Sequence, residues 1–492
     1  MSEQDQREFR ARFHDVFVEA LSHIASLPPS TYVSRHYGWP ELSYGKSGMP
    51  SIRTSSSFDG PVDYSDVFTP VKGLRDAPEL PSLEALLDAV KRSRLLRNRL
   101  LPRQLAEATG LSVDEEKIVD SLISHLVYSA VDRYVHIHNS RAFEEENFER
   151  VFRPLERGIF DDPLPLDVAV PILFLQFDFE EARLSDNACI RRMDDAFQRA
   201  RASQKAYGPG VHESVMAAAT HALVLEGWSM PNQGWWPASN ITTEVAAYPR
   251  DQIDLFFAAL RVETGVKTGY AQLLIVPQDW MLHWMAGLPP LDGTSIRAYP
   301  LAFEHYYWLV EQLTLIDEAA AQRVAQLWRA LTEATENSLK VAVRRLNLCF
   351  LRDNQEDAAI DATIGLEAAL SDDEPQEMTH KLALRIAALS RYFGDCQKSA
   401  HQVFREIKSV YRYRSALVHG SSSSDTKREI RVSETVRVEA SELAVEYLRA
   451  VVRVLAANAE LRKPTYIDRH LLLGEPTGNP NERMQPTAKG GG

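Results

Sequence analysis

Residues able to catalyse a reaction are concentrated near the end of the chain, in the segment 411–420, which reads YRYRSALVHG. The planar guanidinium of an arginine can stabilise negative charge that develops on a phosphoryl group, because it donates paired hydrogen bonds. A histidine has a reference pKa of about 6.5 and can transfer protons near neutral pH. Arg414 and His419 could therefore act together on a phosphoryl group without a metal ion.

The sequence leaves open which arginine works with His419. At about 100° per residue, Arg414 and His419 are separated by roughly 140° on an ideal helix, whereas Arg412 and His419 nearly share a face. Gly420 is expected to end the helix and leave His419 exposed. A distorted helix end could then bring His419 close to Arg414, or two chains could together form one site. Alternatively, His419 caps carbonyl groups of its own helix and Arg414 pairs with a carboxylate.

Two upstream segments accompany this one: 361–370 reads DATIGLEAAL, and 380–389 reads HKLALRIAAL. In this order, the three segments resemble helices of the HEPN domain family, specifically its Apea-like branch, whose signature is Arg-x4–6-His. The resemblance covers about residues 333–461. It implies a helical domain of a kind that often dimerises and often cleaves RNA without a metal, with Arg414 and His419 as the catalytic residues.

Other residues near this pair also have expected roles. Supporting or RNA-binding roles are expected for Lys408, Tyr411, Arg412 and Ser415. Ser415 stands where many HEPN domains carry asparagine, aspartate or histidine, a departure that bears on activity rather than on fold. Glu367 and Arg385 lie on successive predicted helices, and we expect them to form an internal ion pair rather than to contact a substrate.

The chain is acidic, with a formal net charge of −13 at pH 7. Because phosphate contacts supply most non-specific affinity for nucleic acids, this charge argues against double-stranded DNA as a partner and requires any RNA site to be local. Residues 398–437 form a locally basic segment: they include nine lysines and arginines against four acidic residues, which gives a net charge of +5.

Composition indicates a globular protein of several domains. Its 492 residues include 45% hydrophobic and 25% charged residues, as expected for chains that bury a core. No apolar run approaches the roughly 18 residues of a membrane span, and the N-terminus is charged, so we expect a cytoplasmic protein without a membrane partner. Cys189, Cys349 and Cys396 lack C-x-x-C spacing, which favours buried free thiols over a disulfide frame or a zinc ribbon.

We predict a multidomain fold, in which a mixed α/β or α+β N-terminal region precedes an all-α HEPN-like helical bundle. The predicted regions are 1–150, mostly helical with a loop-rich segment 28–81; 151–302, an α/β or α+β domain; 303–332, connecting helices; 333–463, the HEPN-like domain; and 464–492, a disordered tail. Apolar runs predict strands at 171–179 and 271–276, with helices near 188–206 and 212–226 between them.

Helical periodicity continues almost without a break from residue 303 onward. The helices predicted there are 303–316, 319–351, 356–370, 376–392, 399–419 and 434–461. Earlier in the chain, His136 and His138 could share one face of a strand or belong to a helix end. Because a third ligand at a fixed spacing is not evident, we predict no metal and no cofactor.

These observations favour a metal-independent endoribonuclease that leaves 2′,3′-cyclic phosphate ends. By analogy with its family, it would be a homodimeric phage-defence or toxin-like effector, whose N-terminal region responds to a trigger or an antitoxin partner. One alternative is a non-catalytic HEPN module for RNA or protein binding and dimerisation. Another is an N-terminal enzyme that uses the HEPN domain to dimerise, although no Gly-rich phosphate loop or nucleophile elbow supports it.

Overall fold

A computed structural model shows two compact units, each assembled from separate stretches of the chain. The first comprises residues 1–250, 270–298 and 303–316, and the second comprises 251–269, 299–302 and 317–492. The structure describes residues 3–55, 57–70, 77–100, 115–203, 211–232, 244–282, 285, 287–305, 313–372, 377–394, 398–420 and 424–475. None of the described helices is both long enough and apolar enough to cross a membrane.

Helices of the first unit bury a phenylalanine-rich core. In chain order they are α1 (Glu3–Ser26), α2 (Pro81–Arg92), α3 (Arg94–Leu100), α4 (Glu115–His138), α5 (Glu145–Phe160), α6 (Asp195–Ser203) and α7 (Glu213–Ala217). Phe9, Phe13 and Phe17 recur every four residues on α1, so they share one buried face. The Phe13 ring lies 4.9 Å from that of Phe152 on α5, which fixes α1 against the unit's core.

An antiparallel sheet of six strands forms the other half of the first unit, in the order β5-β6-β7-β3-β8-β9. The strands are β3 (Leu164–Pro171), β5 (Glu181–Ser185), β6 (Ala188–Arg192), β7 (His221–Met230), β8 (Tyr270–Pro277) and β9 (Asp292–Ala298). Outside this sheet, β1 (Glu41–Tyr44) pairs with β2 (Pro50–Arg53), and β4 (Leu175–Phe177) pairs with β10 (Thr314–Ile316). A mixed unit was predicted, and the antiparallel sheet makes it α+β rather than α/β.

The strand predicted at 271–276 is confirmed as the centre of β8, but other predictions in this region were wrong in part. The run 171–179 does not form one strand, because Phe174 has a left-handed φ of 60° between β3 and β4. Residues 188–192, predicted to be helical, pair with β7 instead. His136 and His138 lie on α4, so the strand alternative for them was wrong.

The second unit is mainly helical. Its helices are α8 (Arg250–Thr264), α9 (Glu318–Glu333), α10 (Asn337–Leu351), α11 (Gln355–Leu370), α12 (Met378–Leu389), α13 (Ala400–Val418), α14 (Ser424–Lys427), α15 (Ala440–Ala457) and α16 (Pro464–Tyr466). Side-chain caps begin several of them: Asn354 accepts from the N–H of Glu356 at 2.8 Å before α11. Ser399 accepts from the N–H of Gln402 at 3.2 Å before α13.

Three predictions for this unit need correction. The long helix predicted over 319–351 is interrupted between α9 and α10. Residues Glu429–Arg431 (β11) and Arg437–Glu439 (β12) pair as a hairpin, so the unit is not all-α. Ser433 lies in that hairpin, where its hydroxyl accepts from the N–H of Val436 at 3.1 Å. Residues 464–475 are ordered rather than a disordered tail, whereas 476–492 lie outside the described residues.

The two units do not follow the predicted boundaries, because pairing and packing connect distant parts of the chain. Residues 303–316, predicted to be a connecting helix, belong to the first unit, where Thr314–Ile316 pairs with β4. Residues 251–269 belong to the second, where the indole of Trp328 donates to the carbonyl of Gln252 at 3.1 Å. Cys189 and Cys349 are buried free thiols as predicted, and Cys396 lies outside the described residues.

Candidate functional site

The segment 411–420 forms the last turns of α13. This helix ends where Gly420 adopts a left-handed φ of 59°, a conformation that glycine adopts without strain. The N–H of His419 donates to the carbonyl of Ser415 at 3.1 Å, and that of Gly420 donates to Leu417 at 3.1 Å. The predicted helix end is therefore confirmed, and it leaves the His419 side chain exposed.

Arg414 is held between the protein interior and solvent. Its side chain is 33% exposed, and its Nη2 lies 4.0 Å from Oε1 of Glu367 on α11. The buried Nε of Arg414 has no hydrogen-bond partner among the described residues. A buried N–H without a partner is uncommon in folded proteins, but the enclosed Nε is not itself reachable from solvent. An acceptor that arrives from solvent would meet the exposed part of the guanidinium, since the side chain is one-third exposed.

Glu367 is partly buried, with 29% of its side chain exposed. Burial is the main influence on its carboxyl and raises the pKa, while the charge of Arg414 acts in the opposite direction and offsets this only in part. A separation of 4.0 Å is too long for a direct hydrogen bond. Glu367 therefore orients Arg414 electrostatically without occupying its donors.

The expected ion pair between Glu367 and Arg385 is not formed. Arg385 is buried, and its guanidinium donates to Asp468 at 2.6 and 2.9 Å and to Asp372 at 2.5 Å. It also donates to the carbonyl of Leu370 at 2.7 Å. The partners of Arg385 come from the end of α11 and from the C-terminal turns after α16, so Glu367 remains available to Arg414.

Tyr411 has a structural position beside this pair. It is buried on α13, and burial raises the pKa of its hydroxyl. The hydroxyl lies 3.5 Å from the carbonyl of Thr363 on α11, one turn before Glu367. Tyr411 therefore packs α13 against α11 and supports Arg414; in this arrangement it is not exposed to an RNA strand.

The remaining predicted residues lie nearer the solvent. Arg412 is exposed, and its guanidinium donates to the carbonyl of Lys408 and to the hydroxyl of Ser409, both at 3.3 Å. Lys408 packs its ammonium group 5.4 Å from the ring of Phe404 and lies beside a shallow cleft that includes His380. Ser415 is exposed. Arg412 is thus engaged within its own helix, whereas Arg414 faces Glu367.

Sequence reasoning assigned Glu367 to the wrong partner. On an ideal helix, residues four apart share a face, so Thr363 and Glu367 lie together on α11 opposite Tyr411 and Arg414. Thr363 and Glu367 are four residues apart and Tyr411 and Arg414 are three apart, so helical spacing could have matched the two pairs. The choice between Arg385 and Arg414 depended on the positions of α12 and α13, which spacing alone does not give.

The site thus combines a half-buried guanidinium, a neighbouring carboxylate and an exposed imidazole at one helix end. A guanidinium with an unused donor can bind a phosphoryl oxygen, and an exposed imidazole can accept or donate a proton. A scan against models of protein families gave no match, and searches of curated proteins and of solved structures gave none either.

Proposed function

We propose that the second unit is a metal-independent endoribonuclease of the HEPN type, with Arg414 and His419 as its catalytic residues. The observation that carries the proposal is the state of Arg414: its side chain is one-third exposed, and among the described residues its ion-pair partner is the carboxylate of Glu367, which stays 4.0 Å away. A guanidinium held in this way is suited to a planar, anionic group that arrives from solvent.

The chemistry assigns a separate task to each residue. His419 accepts the proton of the RNA 2′-hydroxyl, whose oxygen then attacks the adjacent phosphorus. Arg414 stabilises the charge that develops on the non-bridging oxygens. The bond to the 5′-oxygen breaks, and that oxygen takes a proton from water or from a second imidazole. The products carry a 2′,3′-cyclic phosphate and a 5′-hydroxyl.

Binding of RNA would depend on the local charge of residues 398–437, since the chain as a whole is acidic. Exposed Arg412 is suited to contact phosphates outside the cleaved bond. A homodimer would bring two His419 side chains to the RNA and supply the second imidazole. In this proposal the protein is a phage-defence or toxin-like effector, and its first unit responds to a trigger or an antitoxin.

Purified full-length protein, incubated with end-labelled RNA in excess EDTA, tests the proposal. We expect cleavage to persist in EDTA and to be lost in His419→Ala. The variant should remain folded, because an exposed imidazole at a helix end contributes little to stability. Circular dichroism checks that both proteins are folded. RNA that is retained but uncut by the wild type would identify a binding module instead and would contradict a nuclease.

A further inference from the structure

Three side chains that commonly bind metals converge in the first unit, far from the site on α13 in sequence. His36 precedes β1, while Asp132 and His136 lie one turn apart on α4. Nε2 of His36 lies 3.1 Å from Oδ2 of Asp132, and Nε2 of His136 lies 3.3 Å from Oδ1. The ligand atoms of all three residues lie within 4.8 Å of one another.

These separations match the edges of a metal coordination shell. With ligands at about 2.1 Å from the ion, neighbouring ligand atoms are about 3.0 Å apart in an octahedral site and about 3.4 Å apart in a tetrahedral one. The two measured contacts to Asp132 fall between these values. An ion placed among the three ligand atoms, which all lie within 4.8 Å of one another, would replace the contacts of Asp132 with the two imidazoles.

Further oxygen atoms surround the same point. Oδ1 of Asp63 lies 3.5 Å from Nε2 of His36, and the carbonyl oxygen of Val62 lies 2.7 Å from Nε2 of His136. The N–H of Tyr64 donates to Oδ1 of Asp132 at 2.9 Å, which fixes the orientation of the carboxylate. Oriented carboxylates and imidazoles are the ligands that divalent first-row ions prefer, and hydrogen bonds behind them increase affinity.

Charge and burial also favour a cation here. The side chain of Asp132 is 1% exposed, and those of His36 and His136 are 15% and 16% exposed, so the carboxylate is buried while the imidazoles reach solvent. Arg133, whose Nη1 lies 3.4 Å from Oδ2 of Asp132, neutralises one of the two carboxylates. One negative charge remains to be balanced, either by a protonated histidine or by a metal ion.

We propose that His36, Asp132 and His136 bind one divalent first-row metal ion of the Zn²⁺ class. On binding, Nε2 of His136 releases to solvent the proton that it donates to the carbonyl of Val62, and the ion takes its place. The ion would join two parts of the chain that are 96 residues apart and fix the segment before β1 against α4. No metal was expected from the sequence, where His136 lies beside His138 and the spacing connects neither of them to His36.

Calorimetric titration of chelator-treated full-length protein with Zn²⁺ tests the site, and Co²⁺ absorption reports its ligands. We expect one equivalent of Zn²⁺ to bind with a Kd at or below about 10 µM, together with a rise in Tm. His36→Gln and His136→Gln should each weaken binding at least about 10-fold. His138→Gln is the matched control on the same helix, and it should bind as the wild type does.

Two results would overturn the metal site. If the wild type takes up no Zn²⁺ or Co²⁺, the cluster is a hydrogen-bonded ion pair with a protonated histidine. If His36→Gln binds the ion as tightly as the wild type, the ligands lie elsewhere. Because His36 comes from a loop rather than a helix, its variant is expected to fold, and circular dichroism of each protein verifies this.

Discussion

The guanidinium of Arg414 and the carboxylate of Glu367 lie 4.0 Å apart across α13 and α11, close enough to attract each other and too far apart to share a hydrogen bond. Arg414 is thereby oriented without a direct hydrogen bond to Glu367, and its buried Nε has no hydrogen-bond partner among the described residues. The guanidinium of Arg412, by contrast, already donates hydrogen bonds, and both of those described are to residues of its own helix. This contrast favours Arg414 over Arg412 as the residue that contacts the reacting phosphate.

Alanine substitution should separate the two arginines. In Arg414→Ala we expect the single-turnover rate of RNA cleavage to fall about 10²- to 10³-fold, the usual cost of removing one group that stabilises transition-state charge. Arg412→Ala should cleave at nearly the normal rate and bind RNA more weakly, with a shallower dependence on salt. An inactive Arg412→Ala beside an active Arg414→Ala would reverse the assignment.

Replacing Arg414 by lysine tests whether the shape of the cation matters. Lysine keeps the positive charge but lacks the planar pair of donors, so we expect Arg414→Lys to lower the cleavage rate more than it lowers RNA affinity. Single-turnover rates and filter binding on the same preparation measure both effects. Equal losses of rate and affinity, or no loss at all, would show that Arg414 acts only as a point charge.

Glu367→Gln should change the pH dependence of stability. Burial raises the pKa of the Glu367 carboxyl in the folded protein above its unfolded-state value of about 4.3. Ionisation of this carboxyl therefore lowers the free energy of unfolding of the wild type as the pH rises from the unfolded-state pKa through the folded-state pKa. The amide removes that cost, so the free energy of unfolding of the variant should increase relative to the wild type between pH 4 and pH 7. Urea unfolding at several pH values measures this difference.

Exposed Glu434→Gln provides the control, for which the difference should stay near zero. A variant that instead loses stability relative to the wild type as the pH rises would mean that attraction to Arg414 outweighs burial. The pair would then be a structural ion pair, and Arg414 would be less available to RNA.

Arg385 should matter for stability, because it is 2% exposed and binds two aspartates. Removing the buried guanidinium leaves two aspartates that are 23% and 36% exposed and that solvent compensates in part, so Arg385→Ala should cost about 3 kcal/mol, at the lower end for a buried pair. Arg437→Ala, in the exposed pair with Glu429, should change stability by less than about 0.5 kcal/mol. Urea midpoints compare the two; similar losses would contradict a structural role specific to Arg385.

Local chemistry made parts of this architecture predictable from sequence. The repeat of phenylalanines on α1, the cap at Asn354 and the glycine that ends α13 each act within a few residues. The helix end at Gly420 was found where expected. The strand Thr314–Ile316 was missed, because it exists only through pairing with β4, more than a hundred residues earlier.

The candidate sites show the same limit. The helix that carries Arg414 and His419 was predicted from a local pattern, but the approach of Glu367 to Arg414 follows from how α11 and α13 pack. Asp132 and His136 are one helical turn apart and could have been paired from spacing, whereas His36 is brought to them only by the fold.

The most direct test of RNA cleavage by Arg414 and His419 is the chemistry of the product ends. An RNA with one mapped cleavage position is cut in excess EDTA, and the fragments are identified by mass spectrometry. The proposed mechanism predicts a 2′,3′-cyclic phosphate and a 5′-hydroxyl, and no cut when the nucleotide that supplies the attacking hydroxyl is 2′-deoxy. Ends with a 3′-hydroxyl and a 5′-phosphate, or cleavage of the deoxy-substituted strand at that position, would contradict it.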